Sequence, residues 1–160
     1  MFKLKFPTRG HEYSEPQIDA ISKFLRDSQQ GLTQGNQLNE FEEKFSKKFK
    51  LSKSLAVSNA ASGFHLIADL LKLGEDAEVV CPAHTYCASV YPFLKYGAKV
   101  RWADINPKTR VADAECLLDK VTDKTRVIVA VHLYGFLMEL SEIRKFCDRR
   151  GIILVEDCAQ

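Results

Sequence analysis

The 160 residues are 46% hydrophobic and 28% charged, the balance of a globular chain rather than a disordered one, and they suffice for one α/β domain with a real core. The formal net charge of +2 comes from basic and acidic residues spread along the chain, with no like-charge block and no basic run interleaved with aromatics, which argues against a nucleic-acid partner. No apolar run approaches the ~20 residues of a membrane-spanning helix, so a membrane protein is not expected.

The first residues, Met1-Phe2-Lys3-Leu4-Lys5-Phe6, alternate charge with apolar side chains and lack the continuous apolar core of a secretory signal, which places the protein in the cytoplasm. From Glu15 to Gln30, apolar Ile18, Ile21, Phe24 and Leu25 follow a 3.6-residue period, and Pro16 suits a first helical turn. Gly31 is the expected end of that helix. A loop with Gly31, Gly35 and Asn36 leads to a second helix whose stripe Leu38, Phe41, Phe45, Phe49 reads as core packing. Residues 1–50 thus read as an N-terminal helical segment ahead of an α/β region over residues 51–160.

From Ser54 onward, short apolar runs alternate with helical stretches. Strands are predicted at Leu55 to Val57, Glu78 to Cys81, Lys99 to Ala103, Arg126 to Val131 and Ile152 to Val155. Helices are predicted near Ser62 to Leu71, Cys87 to Tyr96, Ala112 to Lys120 and Glu139 to Arg150, each long enough for a crossover. That alternation implies an α/β fold, a mostly parallel sheet with helices on both faces. Ligands of such sheets bind outside the carboxyl ends of the strands.

Four predicted strand ends carry unusual polar or aromatic residues: Ser58 to Ser62, Pro82 to Tyr86, His132 to Gly135, and Glu156 to Gln160. Each has a purely structural explanation when taken singly. Ser58 and Asn59 can cap the next helix, Tyr86 can be a core aromatic, Asp157 a surface carboxylate or cap, and His132 a satisfied interior histidine. Five scattered cysteines, Cys81, Cys87, Cys116, Cys147 and Cys158, form no C-x-x-C pair, and their odd number argues against a complete disulfide framework. Reduced, mostly buried thiols are expected, and no metal site.

Taken in order, the pieces resemble one family. Leu32-Thr33-Gln34-Gly35 with Phe41-Glu42, then SNAASGFHL from Ser58, PAHTYCAS from Pro82, YGAKVRWADINPKT from Tyr96, VHLYG from Val131 and VEDCAQ from Val155 are similar to the DegT/DnrJ/EryC1/StrS sugar aminotransferases, which depend on pyridoxal 5'-phosphate (PLP). The resemblance implies the large PLP-binding domain of the aspartate aminotransferase-like fold (fold type I), of which residues 51–160 would be the first part. It implies that Asp157 faces the pyridine nitrogen, Gln160 the ring hydroxyl and Tyr86 the ring face. The phosphate would sit at the helix start, on the N–H groups of Ala60 and Ala61.

Ala60-Ala61 departs from the Gly-Thr usual in the family, which removes one side-chain hydrogen bond; Ser62 is the hydroxyl nearest to replacing it. The resemblance puts the Schiff-base lysine beyond Gln160, so no catalytic residue is assigned here and the 160 residues alone are expected to be inactive. The intact protein is expected to move an amino group from an amino acid, usually glutamate, to a nucleotide-linked keto sugar, as a homodimer. Alternatives are a PLP-dependent sugar dehydratase, with histidine for that lysine, and a catalytically dead partner-binding relative. A nucleotide-binding doubly wound domain is disfavoured, because no G-x-G-x-x-G follows the first strand.

Overall fold

The computed structural model describes residues 12–27 and 35–160. The N-terminal hexapeptide, the end of the first predicted helix with Gly31, and Leu32 to Gln34 lie outside the described residues. The chain divides into two compact units, Met1–Ala56 and Val57–Gln160.

The first unit carries helices α1 (Glu15–Arg26) and α2 (Asn36–Phe49). Ser14 and Gln17 form a capping box at the start of α1, with Pro16 in its first turn. Neither helix buries a residue, which corrects the reading of the phenylalanine stripe as core. Phe41, Phe45 and Phe49 are exposed and pack on one another, with ring centroids 5.8 and 4.5 Å apart. A 3.6-residue period specifies which side chains share a face, not whether that face is covered. The predicted strand at Leu55 to Val57 does not form either. Leu55 and Val57 are exposed, and the Ala56 N–H donates to Glu42 Oε1 at 2.8 Å rather than to a neighbouring strand.

The second unit is α3 (Ala60–Leu71), β1 (Glu78–Pro82), a 3₁₀ turn (Cys87–Ser89), α4 (Tyr91–Leu94), β2 (Lys99–Ala103), α5 (Ala114–Leu118), β3 (Thr125–Val131), α6 (Ser141–Arg150) and β4 (Ile153–Asp157). The four strands are parallel, in the order β2-β1-β3-β4. Val79, Val80, Cys81 and Val127 through Ala130 are fully buried, as central parallel strands covered on both faces require. The helix predicted over residues 87–96 is split into the 3₁₀ turn and α4. Pro92 has no N–H to continue a helix and stands in the first turn of α4, where no donor is needed.

The chain leaves β1 toward one edge for β2, then returns past β1 for β3 and β4. Right-handed crossovers therefore put α4 on one face and α5 and α6 on the other. Phe93 of α4, Leu117 of α5 and Ile143 and Cys147 of α6 are fully buried against the sheet. The change of direction between β1 and β3 opens a crevice at the carboxyl ends of those strands. Asp157, expected just past its strand, is the last residue of β4 and pairs in register with Val131. The thiols are all free, but only Cys81 and Cys147 are buried; Cys87 and Cys158 are exposed, which corrects the expectation of mostly buried cysteines. Among the described residues no helix is long and apolar enough to cross a membrane.

Candidate active site

At the carboxyl edge of the sheet lies a cleft of about 440 Å³, within the range typical of small-molecule sites. All five residues singled out from the sequence line it: Ala60 and Ala61 from the start of α3, Tyr86 after β1, Asp157 at the end of β4, and Gln160 beyond it. Phe64, Val131 and Leu133 give it an apolar lining.

Asp157 is 8% exposed, so it is not a solvated surface acid. Its Oδ2 accepts a hydrogen bond from Ser89 Oγ at 2.6 Å and its Oδ1 one from the Ala159 N–H at 3.1 Å. Its carbonyl accepts from the His132 N–H at 3.0 Å, which ties the ends of β3 and β4 together. Ser89 is itself 1% exposed and lies 2.9 Å from Thr85 Oγ1. Burial pushes the Cys81 thiol of β1 far above the ordinary thiol range, and the Asp157 carboxylate adds to the shift.

The start of α3 is ordered by its cap. Asn59, in extended conformation, accepts the Ser62 N–H on its side-chain oxygen at 2.9 Å and the Gly63 N–H on its carbonyl at 3.4 Å. The N–H groups of Ala60 and Ala61 have no partner among the described residues, and both residues line the cleft. The positive end of the helix dipole and these two donors favour a phosphate there. Ser62 Oγ, by contrast, is engaged with Asn59 Oδ1 at 3.2 Å and Ser58 Oγ at 2.9 Å, and does not line the cleft.

Tyr86 is 71% exposed among the described residues, so its ring is not packed into the core of this unit. Gln160 accepts the Tyr134 N–H on Oε1 at 3.2 Å, leaving its amide NH₂ as the donor still to be used. That N–H is presented by a tight turn in which Tyr134 and Gly135 have φ of 53° and 82° and Phe136 N–H returns to the Leu133 carbonyl at 2.9 Å. Successive positive φ values make it a type I′ turn, which Gly135 adopts without a Cβ clash.

His132 accepts the Met138 N–H on Nδ1 at 3.1 Å, with Nε2 3.7 Å from Glu156 Oε2. It is a satisfied, mostly buried histidine. Its ligand atom lies within 4.8 Å of those of Glu156 and Cys158. With Nδ1 accepting, however, the neutral ring keeps its proton on Nε2 and offers no lone pair to a metal. Partial desolvation of the sulfur and the neighbouring Glu156 and Asp157 carboxylates also raise the Cys158 thiol.

The sequence pattern of the DegT/DnrJ/EryC1/StrS aminotransferase family matches residues 13–160. The chain belongs to this family. The GDP-perosamine synthase of Vibrio cholerae is 32% identical over 150 residues, covering 91% of this chain and 41% of that protein. Among solved structures, the Escherichia coli GDP-4-keto-6-deoxy-D-mannose-3-dehydratase with bound hydrated PLP superposes with a TM-score of 0.83 at 30% identity, over 96% of this chain and 40% of that one. An aminotransferase from Psychrobacter cryohalolentis superposes with a TM-score of 0.82 at 27% identity, over 93% of this chain and 38% of that one. The fold is that of the PLP-dependent aminotransferases of fold type I. The chain spans about two fifths of the length of these relatives.

Ser89 and Thr85 carry no site role in the sequence pattern. Both stand in the Pro82 to Ser89 stretch, three and one residues from Tyr86, but nothing local announces that their partner is an aspartate on another strand.

Proposed function

We propose that the full-length protein is a PLP-dependent aminotransferase that moves an amino group from an amino acid, glutamate being the expected donor, to a nucleotide-linked keto sugar. The observation that carries this reading is the buried carboxylate of Asp157, lining a cleft that is also lined by an exposed aromatic ring and by two helix N-terminal residues whose N–H groups have no partner among the described residues. The donor set fits PLP group by group: an acid for a ring nitrogen, a flat face for a ring, and N–H groups for a phosphate. The similarity to a GDP-perosamine synthase and to a dehydratase acting on a GDP-linked keto sugar supports the substrate class. On this reading residues 51–160 are the first part of the PLP-binding domain, preceded by the helical segment 1–50. The homodimer and cytoplasmic location implied by the resemblance belong to the same proposal.

PLP, when bound, supplies an electron sink whose protonated ring nitrogen draws charge from the carbon that loses a proton. Asp157 would hold that proton on the ring nitrogen, by its charge and by a hydrogen bond. Tyr86 would fix the tilt of the ring, with stacking worth about 0.5–1.5 kcal/mol beyond burial. The N–H groups of Ala60 and Ala61 would anchor the phosphate, and the Gln160 amide NH₂ would donate to the ring oxygen.

The similar dehydratase supports a second reading, dehydration of the same class of sugar. The resemblance assigns covalent attachment of the cofactor to a lysine beyond Gln160, and the dehydratase reading puts a histidine in its place. Full-length protein loaded with PLP should show a visible absorbance that borohydride abolishes, leaving the cofactor covalently fixed at one lysine. Bound but never fixed cofactor selects the dehydratase. Protein that stays colourless in excess PLP contradicts both.

A further inference from the structure

Asp157 is held by a buried relay that none of the residues assigned to the cofactor includes. Ser89 Oγ donates to Asp157 Oδ2 at 2.6 Å, a length typical of a charge-assisted O–H to carboxylate bond. A carboxylate offers no proton, so the single Ser89 proton is committed to it, and the 2.9 Å contact between Thr85 and Ser89 is donated by Thr85. With its one proton given to Ser89, Thr85 Oγ1 makes no competing bond to the Tyr86 carbonyl 3.4 Å away. Ser89 is 1% exposed, so its hydroxyl is shielded from bulk solvent. The other Asp157 oxygen is met by the Ala159 N–H at 3.1 Å.

We propose that Ser89, backed by Thr85, is a positioning residue for the cofactor: it locks the Asp157 carboxylate in the one orientation that presents a free lone pair to the ring nitrogen. The inference rests on the PLP reading above and deepens it. Hydroxyls that polarise one another in series strengthen the last bond of the chain, and a carboxylate with each oxygen already holding one donor cannot rotate without losing both. The other titratable groups around Asp157 do not compete for it. The Cys81 thiol of β1 is buried and kept protonated, and His132 after β3 turns its Nε2 to Glu156, which in turn meets Arg144.

The test is a double-mutant cycle in the full-length protein, read as the dissociation constant for PLP in equilibrium dialysis and as the pH dependence of the cofactor spectrum. Ser89→Ala is expected to weaken PLP binding about tenfold, the loss of one hydrogen bond to a charged group. It should also shift the spectral titration in the same direction as Asp157→Ala. Thr85→Val, which keeps the volume and removes the hydroxyl, should weaken binding about two- to threefold. In the Asp157→Ala background, adding Ser89→Ala should change the constant by less than about twofold, because the two act through one contact. A Ser89→Ala effect that persists undiminished without Asp157, or PLP binding and a spectrum unchanged by Ser89→Ala, overturns the positioning role. If Asp157→Ala itself leaves binding and spectrum unchanged, the PLP reading fails first.

Discussion

Ser89 Oγ and Asp157 Oδ2 lie 2.6 Å apart although 68 residues separate them in sequence. The contact joins the 3₁₀ turn after β1 to the end of β4 beneath the cleft. It exists because β1 and β4 run in the same direction, so that the turn leaving one strand and the last residue of the other meet at the same edge.

The start of α3 gives a prediction about the phosphate. Asn59→Ala removes the cap that orders the first turn and should lower stability by about 1 kcal/mol. It should also weaken PLP binding, since the Ala60 and Ala61 donors lose their fixed direction. Ala61→Thr, by contrast, adds the hydroxyl usual in the family and should tighten binding about two- to tenfold, the worth of one ordinary hydrogen bond. Dialysis of the two variants of the full-length protein against PLP, beside a thermal melt of each, separates affinity from stability.

The Cys81 thiol makes an alkaline prediction. Its folded pKa is raised, first by burial and then by the Asp157 carboxylate, so the folded state binds this proton more tightly than the unfolded chain. The stability it contributes is complete below the ordinary thiol value of 9.0 and is lost as pH rises from there toward the folded value. Replacing it with alanine leaves a small void but removes that dependence. The gap in urea midpoint between the natural protein and Cys81→Ala should therefore narrow above about pH 9, at no more than about 1.4 kcal/mol per pH unit. A gap that stays constant to about pH 10.5 contradicts the placement of Cys81.

Gly151 tests the element that delivers β4. It ends α6 with φ of 64°, and its N–H and that of Ile152 both return to the Cys147 carbonyl. A Cβ there meets nothing within 4 Å, so Gly151→Ala should cost only the left-handed backbone penalty, about 1–2 kcal/mol. Thermal unfolding should register that loss while PLP affinity stays unchanged.

How much of the molecule is legible in the sequence depends on how local each cause is. Val79-Val80-Cys81 and Val127 through Val131 read as strands because a parallel strand covered on both faces needs an unbroken apolar run. Leu55-Ala56-Val57 has the same composition, yet a strand also needs a neighbour, and its backbone donor found Glu42 instead. Phe41, Phe45 and Phe49 announce a helix face but not its burial, which depends on what covers it. Tyr86 follows β1 and Asp157 ends β4 at the edge where such sheets bind ligands, and Ala60-Ala61 open α3, the helix end that attracts anions, so local pattern is enough to point to each. Ser89 escapes, since its meaning lies wholly in a partner brought close by the topology.

The central claim is that the Asp157 carboxylate holds the proton on the ring nitrogen, and Asp157→Asn in the full-length protein tests it most directly. The amide keeps the size and one acceptor oxygen but removes the charge. Turnover and the pH dependence of the cofactor spectrum should be measured on the same preparation. Turnover should fall at least about tenfold, the effect of ~1.4 kcal/mol of lost transition-state stabilisation, with weaker PLP retention, a shifted spectral titration and little change in folding. Near-normal turnover with an unchanged spectrum would contradict the assignment.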